Sequence, residues 1–337
     1  MKKSADNRID RMSIKLALRV FSLFMIIILL SFGLTVRSIY QDAISAAHDN
    51  ADTAMRQMVR LLDSSFAKLE TAPKVASGLV PDFSTDKPES CYDFLHSMLV
   101  SDSALAATCI MFIENYFPEE GREYCPAVFI ADDGTVQHYD ATDAGFTYLE
   151  DEKEMNWKNG GGGKNFWREP YYMVNEDGKR QGLRVAYSLP LYNGNGLYGV
   201  LCAAPTLSWI DSRLDMYKPQ SDCVVTLVEN ATGAYITNPD STKILYRTVS
   251  ADAEESDDDG LRGIAELISR GEEGCCVSHY PQKQYVYVTP ISRMGWSVVM
   301  QCPTASIYAG ARSIVTAHSL LLVVVLLLLF ALVTLAI

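Results

Sequence analysis

The chain has 337 residues, 48% of them hydrophobic, and a formal net charge of −12 with a pI near 4.9. So acidic a balance lacks the basic surface that phosphate backbones require, which excludes nucleic acid as a partner. Eight cysteines with no C-x-x-C pair exclude a zinc ribbon or a thioredoxin-type dithiol and leave disulfides open, with a pairing that sequence does not give.

Two apolar, uncharged runs bracket the chain: residues 20–36 (VFSLFMIIILLSFGLTV) and 319–337 (SLLLVVVLLLLFALVTLAI). Each is close to the roughly 20 helical residues that span a hydrocarbon core. Lys2, Lys3, Arg8, Arg11, Lys15 and Arg19 precede the first run, against only Asp6 and Asp10. Basic residues stay on the cytoplasmic side, so residues 1–19 are expected inside and 38–312 outside. The expectation is a two-pass protein of the plasma (inner) membrane, with helices at 20–36 and 314–337. A cleaved signal peptide is the alternative; the length of the run and the lack of an A-x-A-like site argue against it. The chain stops inside its second apolar run without a basic flank, which reads as a truncation.

Ile39, Ala43, Ala47, Ala54, Met58, Leu61, Leu62, Phe66 and Leu69 recur at helical spacing, so a long helix is expected over 37–72, ended by Pro73, Gly78 and Pro81. Its apolar stripe is longer than one small sheet covers, which points to a homodimer. A helix over 90–100 follows, then strands over 104–113, 127–131 and 135–139, with Asp132-Asp133-Gly134 as a hairpin turn. Residues 142–163 are polar, end in four glycines and read as a loop. Strands over 182–191 and 197–204 and a helix over 207–216 close this unit.

The pattern then repeats at smaller scale. Strands are expected over 223–229 and 234–237, a mobile acidic loop over 251–260, a helix over 260–270, strands over 275–280, 284–290 and 296–301, and a helix from Ser306 into the second apolar run. The fold class is α+β: two antiparallel-sheet units, 73–218 and 219–305, on a long N-terminal helix.

Trp157, Trp167, Tyr171 and Tyr172 surround the glycine run 160–163. Rings with polar edges can line a small-ligand pocket, or they can be core residues of the sheet. Arg184 is the one charge inside an expected strand. It either clamps an anionic ligand bidentately or is an edge-strand charge. Arg184 and Tyr187 have opposite parity, so a regular strand cannot aim both at one pocket. Gly160 to Lys164 lacks the ending of a phosphate loop, and the five histidines show no metal-ligand spacing. Asp257-Asp258-Asp259 lacks the EF-hand pattern. Neither G-x-S-x-G nor H-E-x-x-H occurs, so no metal, cofactor or catalytic residue is expected.

The segment 166–214 (FWREPYYMVNEDGKRQGLRVAYSLPLYNGNGLYGVLCAAPTLSWIDSRL) carries Trp167, Pro170 and Tyr171, then Ser188-Leu189-Pro190, then Gly199-Val200 before a helix; Gly295-Trp296-Ser297-Val298-Val299 precedes the last helix. In this order the chain resembles the double Cache sensor domain of bacterial transmembrane receptors over nearly its whole length. The resemblance implies two PAS-like units, with ligand in the membrane-distal one. An amino-acid-binding subset carries R-x-W-Y, then Tyr-x-Asp, then a second Asp. Here Met155-Asn156-Trp157-Lys158 lacks the Arg and the second aromatic, Tyr171 matches, Met173 replaces the first Asp, and Ala203-Ala204-Pro205 lacks the second. The resemblance therefore argues against a free α-amino acid.

The function expected is extracytoplasmic sensing of a small organic ligand and signalling to a cytoplasmic output domain or partner. This segment is not expected to be an enzyme. A scaffold that binds another envelope protein and a membrane-tethered enzyme are the rival classes.

Overall fold

The computed structural model describes residues 2–79, 83, 87–131, 133–143, 145–149, 166–174 and 180–336. Helix α1 (Lys2–Leu69) runs unbroken from the N-terminal end through the first apolar run. Ala51, Met55, Met58, Leu62, Phe66 and Leu69 form its buried stripe, at spacings of three and four that place them on one face. Its outward residues, among them Asp49, Asp52, Arg56, Gln57 and Arg60, are exposed and polar. One chain's own two sheets consume the stripe, which removes the sequence argument for a homodimer.

Pro73 does not end the helical path as expected. It lacks the N–H that would bond the Leu69 carbonyl, so α1 stops at Leu69 and the chain turns at Glu70. A short helix α2 (Thr71–Ser77) then accommodates the proline in its first turn.

Helix α3 (Ser90–Ser101) precedes the first sheet. That sheet comprises β1 (Leu105–Phe112), β2 (Pro126–Ile130), β3 (Val136–Asp140), β4 (Phe166–Trp167), β7 (Tyr187–Asn193) and β8 (Gly196–Pro205). Their order is β3-β2-β1-β8-β7-β4, and every pairing is antiparallel. Strands β5 (Tyr171–Val174) and β6 (Arg180–Arg184) form a separate hairpin. The single strand expected over 182–191 is therefore two strands in two sheets, broken at Val185-Ala186. An apolar run has no internal mark for such a change of sheet. Helix α4 (Ser208–Asp215) ends the unit.

The second sheet has the order β10-β11-β12-β9, from β9 (Val224–Glu229), β10 (Gly274–Ser278), β11 (Gln284–Ile291) and β12 (Trp296–Pro303). Residues 234–237 make only single bridges, Val228 to Tyr235 and Ala234 to Thr248, rather than the expected strand. The expected acidic loop is ordered: α5 (Val249–Ser256) occupies most of it, capped by the Thr248 hydroxyl, which accepts from Ala251 N. Asp257 leaves the helix in the left-handed region, and Asp258 caps α6 (Asp259–Arg270). Helix α7 (Thr304–Ala336) leaves directly from β12. Both α1 and α7 contain windows long and apolar enough to cross a membrane, none of it buried inside the fold.

Asp252 anchors α5. Its carboxylate accepts from Lys243 Nζ (2.7 Å), Arg247 Nε (2.7 Å) and the Tyr235 hydroxyl (2.9 Å). Burial pushes this carboxyl up, but the three hydrogen bonds outweigh it and hold it below its ordinary range. Its contribution to stability is present above the unfolded value near 3.8 and is lost as pH falls through the lower folded value. The melting temperature is thus expected to drop on acidification below about pH 4, and an Asp252→Asn variant should show a shallower drop from a lower neutral-pH starting point. Identical acid limbs for the two proteins would rule the cluster out as a source of acid lability.

Candidate ligand site on the first sheet

Side-chain alternation divides the first sheet into two faces. On β1, Thr108 donates to the Leu95 carbonyl of α3 (3.0 Å), while Ile110 and Phe112 join the core around α1. The odd positions therefore point away from the stalk. Ala107, Cys109 and Met111 of β1 share this outer face with Ala127 and Phe129 of β2, Val200, Cys202 and Ala204 of β8, and Ala186. Many of these side chains are small and make the floor of the outer face, where Tyr139, Tyr148 and Leu149 are buried with them.

The β5–β6 hairpin meets the first sheet at Arg184, which bonds main-chain carbonyls of β1 and β2. Tyr171 pairs across it with Arg184. Tyr171 is an exposed aromatic residue, and its phenol feels the charges of Arg168 and Arg184 and the thiols of Cys109 and Cys202. Burial, followed by the two thiols, pushes the phenol up, against the opposing pull of the two arginines. Cys109 and Cys202 are directly opposite on β1 and β8, and the Ser188 oxygen lies 3.3 Å from the Cys202 sulfur. Thiol–thiol hydrogen bonding (to Cys125 for Cys109, to Cys109 for Cys202) and burial hold both thiols well above their ordinary range, so they are neutral.

Arg184 is not an edge-strand charge. It is 1% exposed, and its guanidinium donates to the carbonyls of Ala106 (2.9 Å) and Ile130 (3.0 Å) beside the Phe129 ring. These bonds fix the hairpin against β1 and β2. Arg168, which sequence reasoning passed over, reaches the same floor: its Nη1 lies 3.8 Å from Met111 Sδ, and its N–H donates to the Ala186 carbonyl (2.8 Å). Both guanidinium groups act electrostatically on the Tyr171 phenol.

Trp167 faces the other way. On β4 it pairs with Tyr187 while its neighbour Phe166 pairs with Ser188, so Phe166 belongs to the outer face and Trp167 to the stalk side. The Trp167 indole packs edge-on to Phe66 (5.1 Å between centroids) and donates to Glu70 (3.0 Å). Tyr187 lies on that side too, with Lys74 Nζ 5.4 Å from its ring centre, so it and Arg184 do point to opposite sides. Tyr172 is half-buried opposite Leu183. Trp157 lies outside the described residues.

Tyr148 is a further residue that sequence reasoning did not single out. Fully buried, its hydroxyl donates to the Phe112 carbonyl (2.7 Å) and accepts from Tyr124 N–H (3.2 Å), and Leu149 N–H donates to Glu123 (3.1 Å). These bonds anchor one end of the segment that continues past Leu149.

No family model matches the chain, and neither does any curated protein. Solved structures do. The extracellular domain of the proposed histidine kinase soHK1S-Z6 superposes with a TM-score of 0.64 at 17% identity, over 80% of this chain and 99% of that one. Methyl-accepting chemotaxis protein X gives 0.60 at 15% identity, over 77% and 98%. The periplasmic sensory domain of the Campylobacter jejuni chemoreceptor Tlp1 gives 0.60 at 16% identity, over 76% and 95%. The match extends over nearly the full length of each of those domains, so this chain has the double Cache fold of histidine-kinase and chemoreceptor sensory domains.

Proposed function

We propose that the protein is the extracytoplasmic sensing part of a two-pass plasma-membrane receptor, without enzymatic activity of its own. The ligand is a small organic anion held between the outer face of the first sheet and the β5–β6 hairpin. The observation that carries this reading is that Arg168 lies against Met111 of the outer face while Arg184 pairs with Tyr171 across the β5–β6 hairpin. Guanidinium groups recognise carboxylates and similar anions through parallel N–H donors, and a water-poor setting strengthens the attraction. Arg184 sets the position of the hairpin, and Arg168 makes the direct contact. Acidic partners for an amino group are missing at Met173 and at Ala203-Ala204-Pro205.

In this reading the basic N-terminal segment is cytoplasmic and the sheets lie outside, consistent with the disulfide between Cys223 and Cys302. Ligand favours one of two conformations, and the stalk and exit helices move relative to each other. A dimer would meet through the polar outer face of the stalk. The test is a melting screen of the full chain in nanodiscs against mono- and dicarboxylates, sulfonates and phosphate esters, with neutral and cationic counterparts. Stabilisation confined to anions is expected. Stabilisation by cations or neutral compounds alone would remove the anion assignment.

A further inference from the structure

Glu70 stands where three parts of the molecule meet. It occupies the turn between α1 and α2, and its side chain is 9% exposed. One carboxylate oxygen, Oε1, accepts two hydrogen bonds. The first comes from Trp167 Nε1 of the first sheet (3.0 Å) and the second from Arg293 Nη1 of the β11–β12 turn (2.8 Å). The other oxygen accepts from Lys74 Nζ (2.6 Å). A carboxylate has enough lone pairs for all three, and charge-assisted bonds to a shielded anion are among the stronger polar contacts. Two of the three donors are 97 and 223 residues away in sequence, so no local element imposes their meeting.

Two further features give the contact direction. Arg293 Nε also donates to Asp63 of α1 (3.1 Å), which fixes the orientation of its fork. One turn before Glu70, the Phe66 ring meets Trp167 edge-on at 5.1 Å and Trp296 at 5.6 Å. Trp296 opens β12, and β12 runs into α7 without a loop. At the other end, β4 carries Phe166 on the outer face of the first sheet and Trp167 facing Glu70, and Arg168, the next residue, lies against Met111. A shift of β4 along or across the sheet necessarily displaces the indole.

We infer that Glu70 is the coupling residue of the molecule: one carboxylate ties β4, which borders the outer face of the first sheet, to the hairpin that leads into the exit helix. The path is Trp167, Glu70 with Phe66, Arg293 with Trp296, then β12 and α7. It acts through position, not through contact with a ligand. Coupling of this kind is reciprocal, so a disturbance at either sheet is felt at the other. The inference concerns the protein without ligand and stands or falls independently of the anion assignment.

The test is amide hydrogen exchange of the full chain in nanodiscs, without ligand, comparing wild type with Trp167→Phe, Arg293→Met and Glu70→Gln. Trp167→Phe keeps a ring and deletes the N–H. It is expected to raise exchange at least about threefold in the β11–β12 turn, across the junction, as well as in β4 and β7. Arg293→Met is expected to do the same to β4 and β5, and Glu70→Gln to both. Peptides from α3 and α6, away from the junction, should be unchanged. Exchange that rises only in the mutated residue's own sheet would overturn the coupling role. So would a rise that includes α3 and α6, which is general destabilisation.

Discussion

Arg184→Met should lower the stability of the first sheet by about 2–4 kcal/mol, among the largest single effects expected in this chain. The side chain is buried, and its guanidinium satisfies the carbonyls of Ala106 and Ile130 at once. Methionine fills much of the volume but donates nothing, so two main-chain acceptors are left dry. Leaving a buried acceptor unpaired costs about 1–3 kcal/mol. Loss of the cation also frees the β5–β6 hairpin, so amide exchange should rise across Tyr171–Val174 and Arg180–Arg184 along with the drop in melting temperature. Arg184→Lys should recover part of the loss, since an ammonium reaches one carbonyl but cannot span two. A methionine variant that melts with wild type would mean that the guanidinium is not structural.

The second large effect belongs to Cys223–Cys302. The bond joins the residue before β9 to β12, two positions before α7 begins, and closes a loop across a separation of 79 residues. Disulfides typically contribute about 2–4 kcal/mol, chiefly through the unfolded chain. A Cys223→Ala/Cys302→Ala protein should melt lower than wild type, with the earliest loss in β9 and the end of β12. Reductant should lower the wild-type transition and leave the double variant unchanged. Peptide mapping under non-reducing conditions should recover the two cysteines as one linked species. Recovery of both as alkylated thiols from protein made in its native membrane would contradict an extracytoplasmic position for this sheet.

Much of the fold was legible because its signals are local. The stalk follows from apolar residues at helical spacing, and the hairpin of β2 and β3 from short apolar runs around Asp133-Gly134. The misreadings share a cause. The charges of residues 251–260 look solvated and suggest a loop, yet Asp252 is held by Lys243, Arg247 and Tyr235, partners that only the tertiary fold supplies. Trp167 lies on a strand of two residues, too short for alternation to assign its face. Its true partner, Glu70, is 97 residues away. Sequence offers for Arg184 either an anion clamp or an edge-strand charge, because main-chain acceptors such as the Ala106 and Ile130 carbonyls leave no trace in it. Tyr171 stands out in sequence by its place in an aromatic segment. The small residues that give it a floor are spread over β1, β2 and β8, and no single stretch displays them.

The measurement that bears most directly on the proposed site is a calorimetric titration of the most stabilising anion from the melting screen into the full chain in nanodiscs. Wild type is compared with Arg168→Met and with Asp252→Asn, which lies in the second unit. A charged hydrogen bond contributes about 1.5–3 kcal/mol, so Arg168→Met should weaken binding roughly 10- to 100-fold. Asp252→Asn should leave the affinity within about twofold of wild type. Unchanged affinity in Arg168→Met, or a loss in Asp252→Asn alone, would contradict a ligand site on the outer face of the first sheet.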